Sequence, residues 1–198
     1  MVIGLTGGSG CGKTTALMVL KAMGARCFDA DAIYHELLRT DKAMLAEINK
    51  AFPGAVENGM LQRKKLGAQV FGNPEALQKL TAITHPCVYR AIARELDGSL
   101  AVIDAFGLIE SGLGDLCDYT VAVTAPTEAR IARLMAREGI SRDYAAARIA
   151  AQKTNEEFSK SCVITLCNDR TAEAFTEQCQ IQFEKLIKEH NYDGKPDV

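Results

Sequence analysis

Eight residues near the start of the chain, Gly7-Gly8-Ser9-Gly10-Cys11-Gly12-Lys13-Thr14, restrict what it can fold into more than any other segment. They fit the spacing G-x-x-x-x-G-K-[ST], which has a mechanical meaning only where a strand ends and a helix begins. The flanks supply that setting. Val2 to Thr6 is short and apolar, and Thr14 to Met23 carries Leu17, Leu20 and Met23 at helical spacing before Gly24 closes the run. In a strand–loop–helix unit of this kind the glycines let successive backbone N–H groups turn inward on phosphate oxygens, and the helix N-terminus adds its positive dipole end. Lys13 then reaches the β and γ oxygens of a triphosphate, the Thr14 hydroxyl ligates Mg²⁺, and Thr15 adds a hydroxyl toward the α-phosphate. The residues expected to bind ATP are Gly8, Gly10, Cys11, Gly12, Lys13, Thr14 and Thr15. Cys11 holds a variable position of the loop, where a side chain is expected to point away from phosphate, so it reads as a small hydrophobe rather than a redox switch.

The rest of the chain extends the α/β pattern. Arg26 to Phe28, Leu100 to Asp104 and Tyr119 to Thr124 read as further strands, and Cys162 to Leu166 as a fifth. Strands separated by helical stretches imply a five-stranded parallel sheet flanked by helices, with ligands beyond the carboxyl ends of the strands. Two helical insertions interrupt this core. Ala32 to Gly98 shows no strand signal and is broken at Pro53-Gly54, Asn58-Gly59 and Asn73-Pro74; it is expected to form a helical acceptor-binding lobe, residues 32–98. Residues 127–158 carry Arg130, Arg133, Arg137, Arg142 and Arg148 and are expected to form a helical lid. The core of a single domain would then comprise 1–31, 99–126 and 159–190, with a closing helix over Glu173 to Glu189 and a disordered polar tail.

Bulk properties narrow the partners. Lys+Arg at 23 against Asp+Glu at 25 gives a net charge of −2, which offers no general attraction to nucleic acid or an anionic membrane; any anion site must be built locally. A small-molecule partner follows. Seven cysteines in an odd set without CxxC spacing, and an N-terminus without a charged region leading into a long apolar stretch, point to a reducing cytoplasmic location. No apolar run approaches bilayer length. Oligomeric state is not encoded in any pattern of this sequence.

Beyond the glycine loop, three features carry chemistry. Asp29 and Asp31, at i and i+2 by a strand end, supply a general base for an acceptor hydroxyl, or Asp31 merely caps the next helix. Asp104 closes an apolar run, either as a carboxylate holding Mg²⁺ through water or as an ordinary strand-end aspartate. Arg130, Arg133 and Arg137 share one helix face, either to close over phosphates or as a solvated stripe paired with Glu128 and Glu138.

Taken together these segments resemble the dephospho-coenzyme A kinase family, from about Ile3 to Asn168. Gly4-Leu5-Thr6-Gly7-Gly8-Ser9-Gly10-Cys11-Gly12-Lys13-Thr14-Thr15 is similar to the family's GLTGGIGSGKST, and Phe28-Asp29-Ala30-Asp31 with Ile33 to its (I/F)DAD-x-I. Leu61-Gln62-Arg63, Leu66, Phe71, Asn73-Pro74 and His85-Pro86 follow its spacing, as do Asp104 to Glu110, Arg133-Leu134-x-x-Arg137 and Gln152. The resemblance implies ATP-dependent phosphorylation of the ribose 3′-hydroxyl of dephospho-coenzyme A, with Mg²⁺. It also implies Asp31 as the residue that orients or deprotonates the acceptor hydroxyl, Arg137 as the lid residue on the transferring phosphoryl, and Arg63 and His85 as acceptor-binding, with a helix boundary set by proline as the other reading of His85-Pro86. Phe106-Gly107 in place of Pro-Leu, Arg130 in place of a frequent Gln, and Cys162 to Asn168 in place of D-x-(V/I)-I-x-N depart from the family pattern. Other small-molecule kinases with the same loop, acting on nucleosides, nucleotides or shikimate, and a nucleotide-binding module without turnover are the competing expectations. The guanine-reading N-K-x-D of a GTPase is absent from the sequence.

Overall fold

The structure is a computed structural model and describes residues 1–193. Strand β1 (Val2–Thr6) runs into the glycine loop and helix α1 (Lys13–Ala22), followed by β2 (Arg26–Asp29), α2 (Ala30–Thr40) and α3 (Lys42–Ala51). A two-stranded hairpin, β3 (Val56–Glu57) and β4 (Met60–Leu61), precedes α4 (Arg63–Val70) and the long α5 (Pro74–Glu95). Then come β5 (Ala101–Asp104), a short 3₁₀ turn (Leu113–Leu116), β6 (Tyr119–Thr124), α6 (Thr127–Glu138), α7 (Arg142–Ala150), α8 (Asn155–Ser161), β7 (Ile164–Cys167) and α9 (Ala172–Asp193).

The chain divides into two compact units: Met1–Cys27, Gly98–Ile109 and the chain from Leu113 onward form the first, and Phe28–Asp97 with Glu110–Gly112 the second. The division falls inside β2, so Asp29 and Asp31 belong to the helical unit.

The five-stranded sheet has the order β2-β5-β1-β6-β7. Its pairings are parallel, with Leu5 opposite both Asp104 of β5 and Val121 of β6, and Val121 opposite Ile164 of β7. Such strands are buried on both faces and read as near-continuous apolar runs, as Ile3, Leu5, Val102, Val121 and Val123 do here. Ala16, Val19 and Leu20 of α1 join Phe175, Cys179, Phe183 and Leu186 of α9 in the same core. Parallel pairing brings the ends of β1, β5 and β6 to one edge, which is where the glycine loop and Asp104 emerge.

In the helical unit, Leu38, Met44, Ile48, Phe52, Leu66 and Leu80 make a separate core. Two sequence expectations are corrected here. The segment expected to lack strands contains the β3–β4 hairpin, turned by Asn58 (φ 52°) and Gly59 (φ 74°); an Asn-Gly pair with both residues left-handed is the favoured two-residue hairpin turn. Strands of two residues are too short to leave a period in the sequence. Pro86 does not end a helix but sits inside α5. Ala82, whose carbonyl loses its i+4 donor to the proline, is exposed, as is Pro86, so water can serve that group. The opposite face of α5, with Thr84, Cys87, Val88 and Ile92 buried, keeps the helix continuous.

The closing helix extends past Glu189 to Asp193, so the start of the expected polar tail is helical; the remainder lies outside the described residues. The fifth strand lies two residues later than expected at its start, at Ile164–Cys167, because Val163 N–H donates to the Thr120 hydroxyl at 3.1 Å before the ladder begins.

Candidate active site

Helix α1 begins at Gly12, which takes φ 104° and supplies no side-chain cap, and its first turn contains no acid. By contrast α2, α3, α5, α7 and α8 each begin with an Asp, Asn, Ser or Thr side chain that accepts from the first-turn backbone, while α4 and α6 lack a side-chain cap as α1 does but follow Gln62 and Pro126 rather than a glycine loop. A bare helix N-terminus fed by a glycine loop leaves backbone N–H groups and the dipole for an anion. Lys13, the first residue of α1, extends its ammonium to Asp104 Oδ1 at 2.5 Å, with both side chains about one-fifth exposed. Asp104 stands at the end of β5 and Lys13 at the end of the loop after β1, so the parallel pairing of these strands is what brings them together. Thr14 is exposed at the helix start and Thr15 is half-buried. The hydroxyl of Thr14 and the carboxylate of Asp104 are hard oxygen donors of the kind Mg²⁺ takes, usually with water and substrate phosphates completing its shell.

Cys11 lies inside the loop with 1% exposure, its thiol turned into the core. Burial pushes its pKa up, opposed by the charges of Arg130 and Lys13, so the group stays a thiol. All seven cysteines are free; Cys117 and Cys179 are pushed up to about 12 by burial, and Cys167 is exposed. The redox reading of Cys11 has no support from this environment.

The arginines of α6 do not form a solvated stripe. Arg130 is 2% exposed; its Nε donates to the Ser9 carbonyl at 2.9 Å and its Nη2 to Gln152 Oε1 at 2.8 Å. Arg133 Nη1 donates to the Gly10 carbonyl at 3.2 Å and its Nη2 to Asn168 Oδ1 at 2.9 Å. Arg137 is exposed and donates instead to Glu138 Oε1 at 2.6 Å, while Glu138 also pairs with Arg148. Hydrogen bonds from Arg137 and then Arg148 hold the Glu138 carboxyl below the usual range. Glu128 pairs with Arg142, not with the stripe. The i, i+3, i+7 spacing put three arginines on one face; it could not say that two of them would be drawn to backbone carbonyls, because those carbonyls are presented only by the folded loop.

In the helical unit the two aspartates separate in role. Asp29 is the N-cap of α2, its Oδ1 accepting from Ala32 N–H at 2.9 Å. The capping alternative for Asp31 is thereby overturned; Asp31 is exposed in the first turn of α2. Arg63, the first residue of α4, lines an apolar cavity of about 550 Å³ with Tyr34, Leu38, Leu66, Phe71 and Leu80. His85 lies on α5, half-buried and not among the residues lining that cavity, and burial lowers its pKa. Tyr34 and Leu77 were missed from sequence, since apolar residues around a cavity have the same spacing as those of a core.

Among the described residues, no helix is long and apolar enough to cross a membrane, and no group of three His, Cys, Asp or Glu residues could hold a metal on its own.

A parallel sheet with a phosphate-type loop at the ends of its strands, a bare helix N-terminus and an adjacent lysine–aspartate pair defines the P-loop kinase class. Comparison with known proteins narrows it. The family model for dephospho-CoA kinase matches residues 1–174, and the chain belongs to that family. It is 40% identical over 176 residues to a dephospho-CoA kinase of Dehalococcoides mccartyi, covering 85% of this chain and 88% of that one. Among solved structures it resembles TT1252 from Thermus thermophilus (TM-score 0.74, 34% identity, 94% of this chain and 97% of that one). It also resembles dephospho-CoA kinase from Campylobacter jejuni (TM-score 0.68, 25% identity, 96% and 98%). The chain is thus an enzyme of the kinase class, of the family expected from its motifs.

Proposed function

We propose that the chain transfers the terminal phosphoryl group of ATP to the ribose 3′-hydroxyl of dephospho-coenzyme A, giving coenzyme A and ADP. The observation that carries this reading is the uncapped N-terminus of α1 beside Lys13, in a chain that matches one kinase family along most of its length. The loop N–H groups and Lys13 take the charge of the β and γ phosphates, and such fixed donors need no reorganisation as charge moves during transfer. Thr14 and Asp104 would hold Mg²⁺, which when bound neutralises charge on the phosphates. Asp31 accepts or orients the proton of the acceptor hydroxyl, and its exposed carboxylate, not committed to capping, leaves it available for this. Arg63, beside an apolar cavity large enough for a flexible chain, contributes to acceptor binding, with His85 as a neutral hydrogen-bonding partner. Arg137 reaches the transferring group only by leaving Glu138, an exposed ion pair that costs little to break. Transfer is direct and in line, without a phosphoenzyme. In keeping with the net charge, the partner is a small molecule and not a nucleic acid, and the enzyme works in the cytoplasm.

The test is a coupled ADP-release assay with Mg-ATP and dephospho-coenzyme A, adenosine, AMP, CMP or shikimate as acceptor. ADP formation only with dephospho-coenzyme A, with coenzyme A identified by mass, is expected. Turnover with another acceptor alone, or with none, overturns the reading.

A further inference from the structure

A loop that points its N–H groups at phosphate must point carbonyls the other way, and those carbonyls need partners. In this chain three successive ones are taken by side chains. Arg130 Nε donates to the Ser9 carbonyl at 2.9 Å, Arg133 Nη1 to the Gly10 carbonyl at 3.2 Å, and Asn168 Nδ2 to the Cys11 carbonyl at 3.0 Å. The donors are themselves linked: Arg133 Nη2 bonds Asn168 Oδ1 at 2.9 Å, and Arg130 Nη2 bonds Gln152 Oε1 at 2.8 Å. Gln152 completes the frame, since its Oε1 accepts from Ser9 N–H at 2.9 Å and its Nε2 donates to the Ser9 hydroxyl at 2.7 Å. Ser9 is thus held at its N–H, its carbonyl and its hydroxyl by two residues more than a hundred positions away in sequence.

The glycines record the same closeness. A methyl group on Gly8 would collide with the Arg130 guanidinium and stand 3.1 Å from Gln152 Oε1. One on Gly10, at φ 77°, would stand 2.8 Å from the Arg130 carbonyl. These two glycines therefore answer to α6 behind the loop as well as to phosphate in front of it.

We infer that Arg130 and Gln152 are positioning residues that act through Ser9 to hold the glycine loop in its phosphate-binding shape, rather than residues that touch the nucleotide. Both donors of Arg130 named above are spent on the loop and on Gln152, and the side chain is 2% exposed, so its charge serves the carbonyl side. Without the pair, the loop must be ordered by the ligand, and the ordering entropy is subtracted from binding. Arg133 and Asn168 form the second half of the same brace.

The inference rests on the reading that the loop binds a nucleotide polyphosphate, and the test separates the two. Calorimetric titration of the purified full chain with ADP, and separately with inorganic tripolyphosphate, is compared for the parent, Arg130→Met, Gln152→Ala and the double variant. Each single variant is expected to weaken both probes by about tenfold, the scale of one lost charge-assisted hydrogen bond. The double variant is expected to be much less than multiplicatively worse, because both residues act on Ser9. A purely structural role would instead lower the melting temperature and leave the affinity of the folded fraction unchanged. Gln152→Ala, at a half-buried position, keeps the test open should Arg130→Met fold poorly. Unchanged affinity in Gln152→Ala, multiplicative effects in the double variant, or weakening of ADP without tripolyphosphate each overturns the brace while leaving the functional reading intact. Failure of the parent to bind ADP overturns both.

Discussion

Around the glycine loop of the sheet-bearing unit the groups turned away from the helix N-terminus have fixed partners: Lys13 has Asp104, and the carbonyls of Ser9, Gly10 and Cys11 have Arg130, Arg133 and Asn168. The helical unit holds instead an apolar cavity of about 550 Å³, with Arg63 and the exposed Phe71 in its lining. The difference follows from what each must hold. Phosphate recognition is directional and charge is costly to desolvate, so donors must be set before the ligand arrives. A long acceptor with apolar and flexible parts needs area and room more than aimed dipoles.

That contrast breaks if the loop is not the centre of the chemistry. Lys13→Ala is expected to reduce turnover by about 10³-fold or more, the scale set by removing a main charge-stabilising donor. Steady-state ADP release measures it, and parental activity in this variant would dismantle the site. Asp31→Asn keeps the shape of the first turn of α2 but removes the base. A fall in kcat of about 10²-fold or more is expected with ATP affinity little changed. A drop in ATP affinity with kcat preserved would return Asp31 to a structural role. On the acceptor side, Arg63→Ala is expected to raise the acceptor KM by about tenfold and leave the ATP KM in place, as loss of one charge-assisted contact should. An equal change in both KM values would erase the division of labour between the two regions.

Sequence reading reached the two regions unequally, for physical reasons. The strand ends and the glycine loop were legible because buried parallel strands are apolar runs and the loop's function depends on residue types at fixed spacing. Tyr119–Thr124 forms a strand with the bounds expected. The hairpin at Asn58-Gly59 was hidden because two-residue strands carry no period, although Asn-Gly is itself a hairpin signal. The proline at 86 misled because the local rule against proline in a helix yields to the burial of Thr84, Cys87 and Val88 on either side. The brace behind the loop was not legible at all: Arg130 and Ser9 are separated by 121 positions, and nothing in the spacing of α6 says that a guanidinium will find a backbone carbonyl.

The smallest effect sharpens the acceptor side. Burial lowers the pKa of His85 below its ordinary 6.5, so the folded chain holds the ring neutral where the unfolded chain would protonate it. At pH above about 6.5 both states are neutral and the residue is silent. As pH falls below that value the unfolded state binds the proton first, so stability is lost toward acid and levels off once the folded ring is also protonated. Melting of the parent and His85→Gln between pH 5 and 8 is expected to show a shallower acid slope in the variant, by a small margin because the ring is only partly enclosed. Equal slopes would mean the ring titrates as it does in water. His85 could then serve as a cation toward an acidic acceptor below its pKa, and the charge assigned to Arg63 alone would be shared between them.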